Sequence, residues 1–430
     1  MKISIMGTGY VGLATGVGFA VKGNDVICVD IDKKKVDMIN RGISPIFEPH
    51  LDRYLRDALK NGRLRATTDT KGTIAETEVS FISVGTPSLD DGSIDLSFIE
   101  TVARQIGEVL KTKSEYHVIV VKSTIVPGTT EGIVMRNIEK ASGKKAGKDF
   151  GICMNPEFLR EGRAIEDFLK PDRIVIGEND KRTGNVIEKL YANFMAPVLR
   201  TDLKTAEMIK YASNAFLATK ISYTNEIGNI CKRLGIDVNE VMKGVGMDHR
   251  ISPHFLNAGV GYGGSCFPKD VEALIWKARG AGYEPKLLEE VHRLNDRQKV
   301  MIVEHLEKKI PNLKGKTICL LGLAFKPDSD DIREAASIYI IERLLQKGAK
   351  VKAYDPQAAE HMRKIHPSVD YMKSAQDALE NSDACLIVTE WDEFKKLTDS
   401  DFSKMKGKTI IEGRRILDRT KVTDFEGICW

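Results

Sequence analysis

A strand that runs straight into a glycine-rich turn constrains this chain more than any other feature. Residues 3–6 form a short apolar run, and the chain then reads Gly7-Thr8-Gly9-Tyr10-Val11-Gly12, the G-x-G-x-x-G spacing. With 36 glycines among 430 residues, chance alone supplies roughly a quarter of one such match. The spacing therefore gains its weight from context. A helical pattern follows it, and Asp30 stands at the end of the next apolar run, 26–29. That order fits a strand-turn-helix-strand unit whose helix N-terminus takes an anionic pyrophosphate, with Asp30 accepting from a ribose hydroxyl. A tight turn without a ligand is the plain alternative. Asp30 would repel a 2′-phosphate, which favours NAD over NADP, although Lys33-Lys34-Lys35 is placed to offset that repulsion.

Further apolar runs at 79–84, 118–121, 152–154 and 174–176 alternate with helical patterns. Such runs predict parallel strands covered on both faces. After Pro197-Val198-Leu199-Arg200 the texture changes: 202–231 has helical periodicity, no proline, and a glycine only at Gly228. A helix of that length would approach about 45 Å, which suits a spine joining domains or subunits. Helical patterns continue at 238–245 and 271–309. From Lys316 the opening theme returns. Thr317-Ile318-Cys319-Leu320-Leu321-Gly322 leads to a predicted helix at 333–346, and Lys347-Gly348-Ala349-Lys350-Val351 enters Ala353-Tyr354-Asp355. This second half has Gly322-Leu323-Ala324-Phe325-Lys326 in place of the three-glycine turn, so a nucleotide there would be held differently.

A chain of this length exceeds one ordinary core. The expected architecture is α/β: two Rossmann-like domains, 1–200 and 311–430, joined by a central helical domain, 201–310, that carries the spine helix.

The balance of 42% apolar and 29% charged residues is that of a globular enzyme. A formal charge of +4, from 65 basic and 61 acidic residues, names no partner. The densest basic run directly follows Asp30 and Asp32, so nucleic-acid binding is not expected. No apolar stretch is long enough for a membrane span, and the N-terminus enters its first strand without room for a signal peptide. A cytoplasmic protein is expected. Seven cysteines lie scattered without metal-type spacing, which predicts reduced thiols and no metal.

One cysteine stands apart. Gly259-Val260-Gly261-Tyr262-Gly263-Gly264-Ser265-Cys266-Phe267-Pro268-Lys269-Asp270 has four glycines in six positions ahead of Cys266. Such a loop lets backbone approach a ligand closely, which favours a reactive role over the small buried hydrophobe that a lone cysteine usually is. A thiol of ordinary pKa needs a nearby cation to be useful at neutral pH. Lys210 is a candidate: it lies at i and Asn214 at i+4 on one helix face, so both can reach one ligand. A solvated lysine and asparagine is the bland reading of the same pair. Asn155-Pro156-Glu157-Phe158-Leu159-Arg160-Glu161-Gly162 places two carboxylates four apart after a strand; first-turn helix acids are the bland reading there. Strand ends at Gly85-Thr86-Pro87 and Ser123-Thr124-Ile125-Val126-Pro127-Gly128 are of the kind where α/β sheets gather ligands, or ordinary turns.

Together with Gly322-Leu323-Ala324-Phe325-Lys326-Pro327 and Gly413-Arg414-Arg415, these segments resemble the UDP-glucose dehydrogenase family, within the wider group that also oxidises GDP-mannose and N-acetylated UDP-hexosamines. The resemblance covers essentially the whole chain. Phe267 after Cys266 looks like the UDP-glucose branch, since the GDP-mannose branch tends to have leucine there. The resemblance implies that Cys266 is a nucleophile carrying a thiohemiacetal and then a thioester, through two oxidations by NAD and one hydrolysis. Glu157, through water with Thr124, would be the base for hydrolysis, with Asp270 assisting; Lys210 and Asn214 would stabilise the oxyanion. NAD would touch the Gly7, Gly9 and Gly12 turn, Tyr10, Val11, Asp30, Lys35, Thr86, Thr124, Glu161, Lys269 and Arg333. The sugar nucleotide would touch Glu157, Phe158, Leu159, Arg160, Glu161, Lys210, Asn214, Phe255, Leu256, Asn257, Ala258, Gly259, Gly263, Lys326 and Arg415. Arg250 would reach a partner subunit's site. The resemblance also implies a homodimer, a UDP-holding C-terminal domain and an active site in the cleft between domains.

The nearest rival is a two-electron hydroxy-acid dehydrogenase of the 6-phosphogluconate or hydroxyisobutyrate type, which needs neither the cysteine nor a third domain. A non-catalytic sensor on the same fold should show decay at Cys266, Lys210 or Glu157, and all three are present.

Overall fold

The computed structural model describes residues 1–430. The chain divides into two compact units, Met1–Ser213 and Asn214–Trp430.

The first unit is built on eight strands: β1 Lys2–Met6, β2 Asp25–Val29, β3 Leu64–Thr67, β4 Val79–Ile82, β5 Val118–Val121, β6 Gly151–Met154, β7 Ile174–Glu178 and β8 Val198–Thr201. They form one sheet in the order β3-β2-β1-β4-β5-β6-β7-β8. The central strands β4, β5 and β6 are buried at every residue, as mostly apolar runs are when helices cover both faces. Strands β3 and β8 lie at the edges and are too short and polar to stand out as apolar runs in the sequence. One expectation is corrected: β6 and β7 pair antiparallel, with Cys153 opposite Glu178. The connection between them holds only the six-residue helix Ala164–Leu169, which turns back to pack Phe168 on Phe19 of the first helix at a ring separation of 4.9 Å instead of crossing the sheet. Phe19 also packs on Phe81 and Tyr191, so one aromatic cluster closes this core. Strand order reverses at β1, which lies between β2 and β4; in such sheets the ligand crevice opens at the carboxyl ends beside that point.

A 32-residue helix, Leu203–Leu234, spans the division between the units. Its length is about 48 Å. The second unit continues with helices Val238–Gly246, Phe267–Gly280 and Lys286–Lys309. The single helical stretch expected at 271–309 is thus two helices. Gly282 adopts a left-handed conformation at φ +79°, and Pro285 sits immediately before the next helix; the first ends the helical turn and the second has no N–H to continue it. The helix expected at 333–346 begins at Ala336, because Glu334 has φ +52°.

The second sheet comprises β9 Thr317–Leu321, β10 Lys350–Tyr354, β11 Asp370–Tyr371, β12 Ala384–Ile387, β13 Thr409–Glu412 and β14 Glu426–Gly427. Its order is β11-β10-β9-β12-β13-β14, parallel throughout. The chain-order pattern is the one that β1 to β6 follow in the first sheet, so both halves are Rossmann-like. No helix is long and apolar enough to cross a membrane.

Candidate active site

In the first unit, Gly7 turns the chain out of β1 at φ +96°, a conformation that side chains strain. A Cβ on Gly12 would lie 2.0 Å from the Gly7 carbonyl oxygen, so the turn closes only around glycine. Gly9 differs: a Cβ there would meet nothing within 4 Å. That open position stands at the N-terminus of the helix Tyr10–Val21, which has no side-chain cap. Open space above uncapped N–H groups suits a pyrophosphate. Asp30 accepts from the Thr8 amide at 2.9 Å, the Thr8 hydroxyl at 2.5 Å and the Asp32 amide at 3.0 Å. Burial opposes ionisation of Asp30, but these bonds and the charge of Lys35 hold its carboxyl below the ordinary value. The arrangement therefore fixes an anionic acceptor beside the turn, as a ribose hydroxyl requires. Thr86 and Thr124 come together at the ends of β4 and β5, the Thr86 hydroxyl donating to the Thr124 carbonyl at 2.9 Å.

Glu157 follows β6 in an irregular segment and is buried. Its Oε1 is 2.9 Å from Lys210 Nζ, and its Oε2 accepts from the Leu159 amide at 2.6 Å. Burial alone would raise the Glu157 carboxyl; the Lys210 charge and hydrogen bond, the Leu159 amide and Lys122 outweigh it and hold it below the ordinary value. The bland readings fail here, since Glu157 is outside any helix and Lys210, though helical, is buried. A pocket of about 110 Å³ opens against Glu157, Phe158 and Arg160. Several of its residues escaped the sequence reading, among them Lys122, Tyr191 and Arg173, whose guanidinium stacks 3.7 Å from the Phe158 ring centre. Lys122 and Arg173 left a trace in the sequence, as charges directly after the apolar run 118–121 and directly before the run 174–176. Arg160 is clamped on Asp167 at 2.7 and 2.9 Å, and Leu159 packs on the core. Glu161 is half-buried in the turn that follows.

In the second unit the glycine loop has no ladder to satisfy its backbone, and side chains from two helices do so instead. Asn225 accepts from the Gly259 amide at 2.7 Å, Gln298 donates to the Gly259 carbonyl at 2.7 Å, and Asn295 accepts from the Tyr262 amide at 2.8 Å. Gly264 donates to the Arg333 carbonyl at 2.8 Å. A side chain at Gly263 would clash with the Glu334 carbonyl, so the two loops touch backbone to backbone. This packing delivers Cys266 to the N-terminus of the helix Phe267–Gly280, where its carbonyl accepts the first helical bond from Asp270 at 2.9 Å. Cys266 is exposed, and the other six cysteines are buried. Burial pushes the Cys28 and Cys429 thiols up to about 12. Asp270 is buried one turn on, accepting from Asn214 at 2.6 Å and Lys269 at 2.7 Å.

Other expected ligand contacts lie on the same unit. Phe255 is half-buried with φ +63°, Leu256, Ala258 and Gly259 are buried, and Asn257 is exposed. Lys326 is half-buried over the Phe325 ring at 5.3 Å, and Arg333 is clamped on Asp331. Arg415 pairs with Asp237 at 3.3 Å. Arg250 is exposed and held on Asp248.

Three family models match the chain: the NAD binding domain of the UDP-glucose/GDP-mannose dehydrogenase family over residues 1–195, its central domain over 204–297, and its UDP binding domain over 319–419. A UDP-glucose 6-dehydrogenase of Haloferax volcanii is 47% identical, with 100% of both chains covered. A GDP-mannose 6-dehydrogenase of Pseudomonas savastanoi is 41% identical over 100% of both. The solved structure of a UDP-glucose dehydrogenase from Pyrobaculum islandicum superposes with a TM-score of 0.95 at 40% identity, over 100% of this chain and 98% of that one. An open glycine turn with an ionised aspartate beside it, a buried carboxylate-lysine pair and an exposed cysteine at a helix N-terminus thus meet three consecutive domain matches, and the chain belongs to the UDP-glucose/GDP-mannose dehydrogenase family, NAD-dependent oxidoreductases with an NAD-binding N-terminal domain.

Proposed function

We propose that this protein oxidises C6 of UDP-glucose to the carboxylate, giving UDP-glucuronate, through a thioester on Cys266. The observation that carries the reading is the single exposed cysteine at the N-terminus of Phe267–Gly280, one helical turn ahead of a buried Asp270 that Asn214 and Lys269 hold. The helix dipole favours negative charge on that sulfur.

The Gly7 to Gly12 turn and Asp30 would hold NAD, which would supply the hydride acceptor for each of two oxidations. In the first, C6 loses a hydride and the hydroxyl loses a proton, leaving an aldehyde. The Cys266 sulfur adds to the aldehyde carbon, and its proton ends on the former carbonyl oxygen. A second hydride and that hydroxyl proton then leave, and the product is a thioester. Water adds to the thioester carbonyl as Glu157 takes its proton, and the carbon–sulfur bond breaks to return the thiolate. Lys210 and Asn214 donate to the oxygen that bears negative charge at each stage, the contribution expected to be largest. Thr124 positions the water, and Asp270 orients Asn214. Thr86, Lys35, Glu161, Lys269 and Arg333 contact NAD. Lys326 and Arg415 meet the diphosphate and sugar as cations, and the half-buried ring of Phe255 packs against the ligand.

The working form is a homodimer. Phe216, Tyr223 and Ile230 recur every seventh residue on the long helix and are 65, 53 and 48% exposed; a second copy covers such a stripe. Arg250, exposed on the same unit, extends to the partner's site. The reaction takes place in the cytoplasm, where Cys266 stays reduced.

The test is NADH formed per UDP-glucose consumed. A ratio near two is expected from the thioester route, and a ratio near one overturns it. No NADH from UDP-glucose moves the substrate to GDP-mannose or an N-acetylated UDP-hexosamine. Light scattering that finds a monomer at micromolar concentration overturns the dimer.

A further inference from the structure

Lys122 is an ammonium buried at 4% exposure, and its hydrogen-bond partners are neutral. Its Nζ donates to Asn155 Oδ1 at 2.9 Å and to the Tyr191 hydroxyl at 3.3 Å. Burying a charge on neutral acceptors is costly unless an opposite charge shares the space. Glu157 shares it, since both side chains line the same pocket. The connection is also mechanical. Lys122 follows β5 and Asn155 follows the adjacent β6, and Asn155 is locked by its own bonds to the Val175 carbonyl at 2.7 Å and from the Tyr191 hydroxyl at 2.6 Å. Asn155 stands two residues ahead of Glu157, so the grip of Lys122 on Asn155 sets the segment that aims the carboxylate.

We infer that Lys122 is a positioning residue for Glu157: the counter-cation that holds the carboxylate ready when Lys210 turns from it to the substrate oxygen. The inference rests on the proposed role of Glu157 in thioester hydrolysis. The Lys210 ammonium has three N–H donors, but its charge offsets less of the Glu157 carboxylate once an oxyanion shares it. With Lys210 engaged elsewhere, burial would protonate Glu157 unless a second cation remained, and Lys122 is that cation. Burial pulls Lys122 down to about 8, with Glu157 and Cys153 pulling it up and Lys210 pushing it down. Its charge is therefore present below about pH 8 and lost above, and hydrolysis declines with it.

The experiment compares the wild-type full-length enzyme with Lys122→Met and Lys122→Arg, by burst kinetics and kcat from about pH 6.5 to 9.5. In Lys122→Met the first-turnover burst of NADH persists, because the hydride steps do not use Glu157, while steady kcat falls about 10- to 100-fold and loses its decline near pH 8. Lys122→Arg, whose charge does not titrate, restores kcat and keeps it level across that range. A Lys122→Met enzyme with wild-type kcat and the same alkaline decline overturns the inference, as does one that loses the burst equally. Should Lys122→Met fail to fold, Tyr191→Phe removes one acceptor and keeps the ring; the decline then moves to lower pH, and an unmoved decline overturns the inference. A wild type that forms no NADH from any sugar nucleotide overturns the proposed function together with this inference, whereas turnover by the wild type with an unaffected Lys122→Met overturns this inference alone.

Discussion

Lys210 Nζ stands 2.9 Å from Glu157 Oε1, with both side chains 4% exposed. Two charges removed from water in this way are tolerable only as a pair. Lys210→Met leaves the Glu157 carboxylate buried without its closest cation and is expected to cost about 3–5 kcal/mol of unfolding free energy. Glu157→Gln added to Lys210→Met recovers part of that loss. Urea denaturation of both variants checks it, and a double variant no more stable than Lys210→Met contradicts the pairing.

Cys266 is the cysteine that solvent reaches, and the remaining six are buried. Alkylation of the native enzyme is expected to modify one thiol, to disappear in Cys266→Ser, and to abolish steady NADH formation. Cys266→Ser keeps the wild-type melting temperature and NAD affinity, because an exposed residue contributes little to packing. Mass spectrometry of the labelled protein and an NAD titration read both outcomes; loss of folding in Cys266→Ser would return the residue to a packing role.

Gly9 and Gly12 separate binding from folding. A methyl group at Gly9 meets no atom within 4 Å, whereas one at Gly12 lies 2.0 Å from the Gly7 carbonyl oxygen. Gly9→Ala should therefore fold normally and raise the NAD KM about tenfold by filling the approach to the helix N-terminus. Gly12→Ala should lose about 1–3 kcal/mol of stability. Equal unfolding midpoints for the two variants would contradict the turn geometry.

Glu426 carries the clearest pH dependence of stability. Burial opposes its ionisation, but Lys232 at 2.8 Å and Lys309 at 2.9 Å hold it at about 2, against 4.5 ordinarily. A lowered carboxylate stabilises the folded chain above its unfolded pKa, and that contribution is lost as pH falls toward the folded pKa. The stability difference between wild type and Glu426→Gln is expected to be full above about pH 5 and to vanish toward about pH 2. Chemical denaturation across that interval measures it, and a difference independent of pH would show the pair to be idle.

What was legible in the sequence was local. Short apolar runs of the kind that are buried on both faces announced β1, β2 and β4 to β7. The Gly7 to Gly12 turn announced a ligand-ready helix N-terminus, and the recurrence of strand, helix, Lys-Gly and strand announced a second sheet of the same order. Cys266 stood out because four glycines in six positions ahead of it let backbone approach a neighbour or ligand closely. Each of these is a property of neighbouring residues and of backbone conformation, which residue type restricts directly.

Partnership across distance was decided only in the folded molecule. Lys210 and Asn214 are ordinary surface residues by type, and burial became evident only when Glu157, 53 positions earlier, and Asp270, 56 positions later, proved to be their partners. The antiparallel pairing of β6 and β7 was likewise hidden, because an apolar run has no direction until its connection is folded. Lys122, Tyr191 and Arg173 converge on one pocket from three separate stretches of chain. Residue type and spacing restrict what a segment can become, but which charges share one dry space depends on where the sheet brings distant strand ends together.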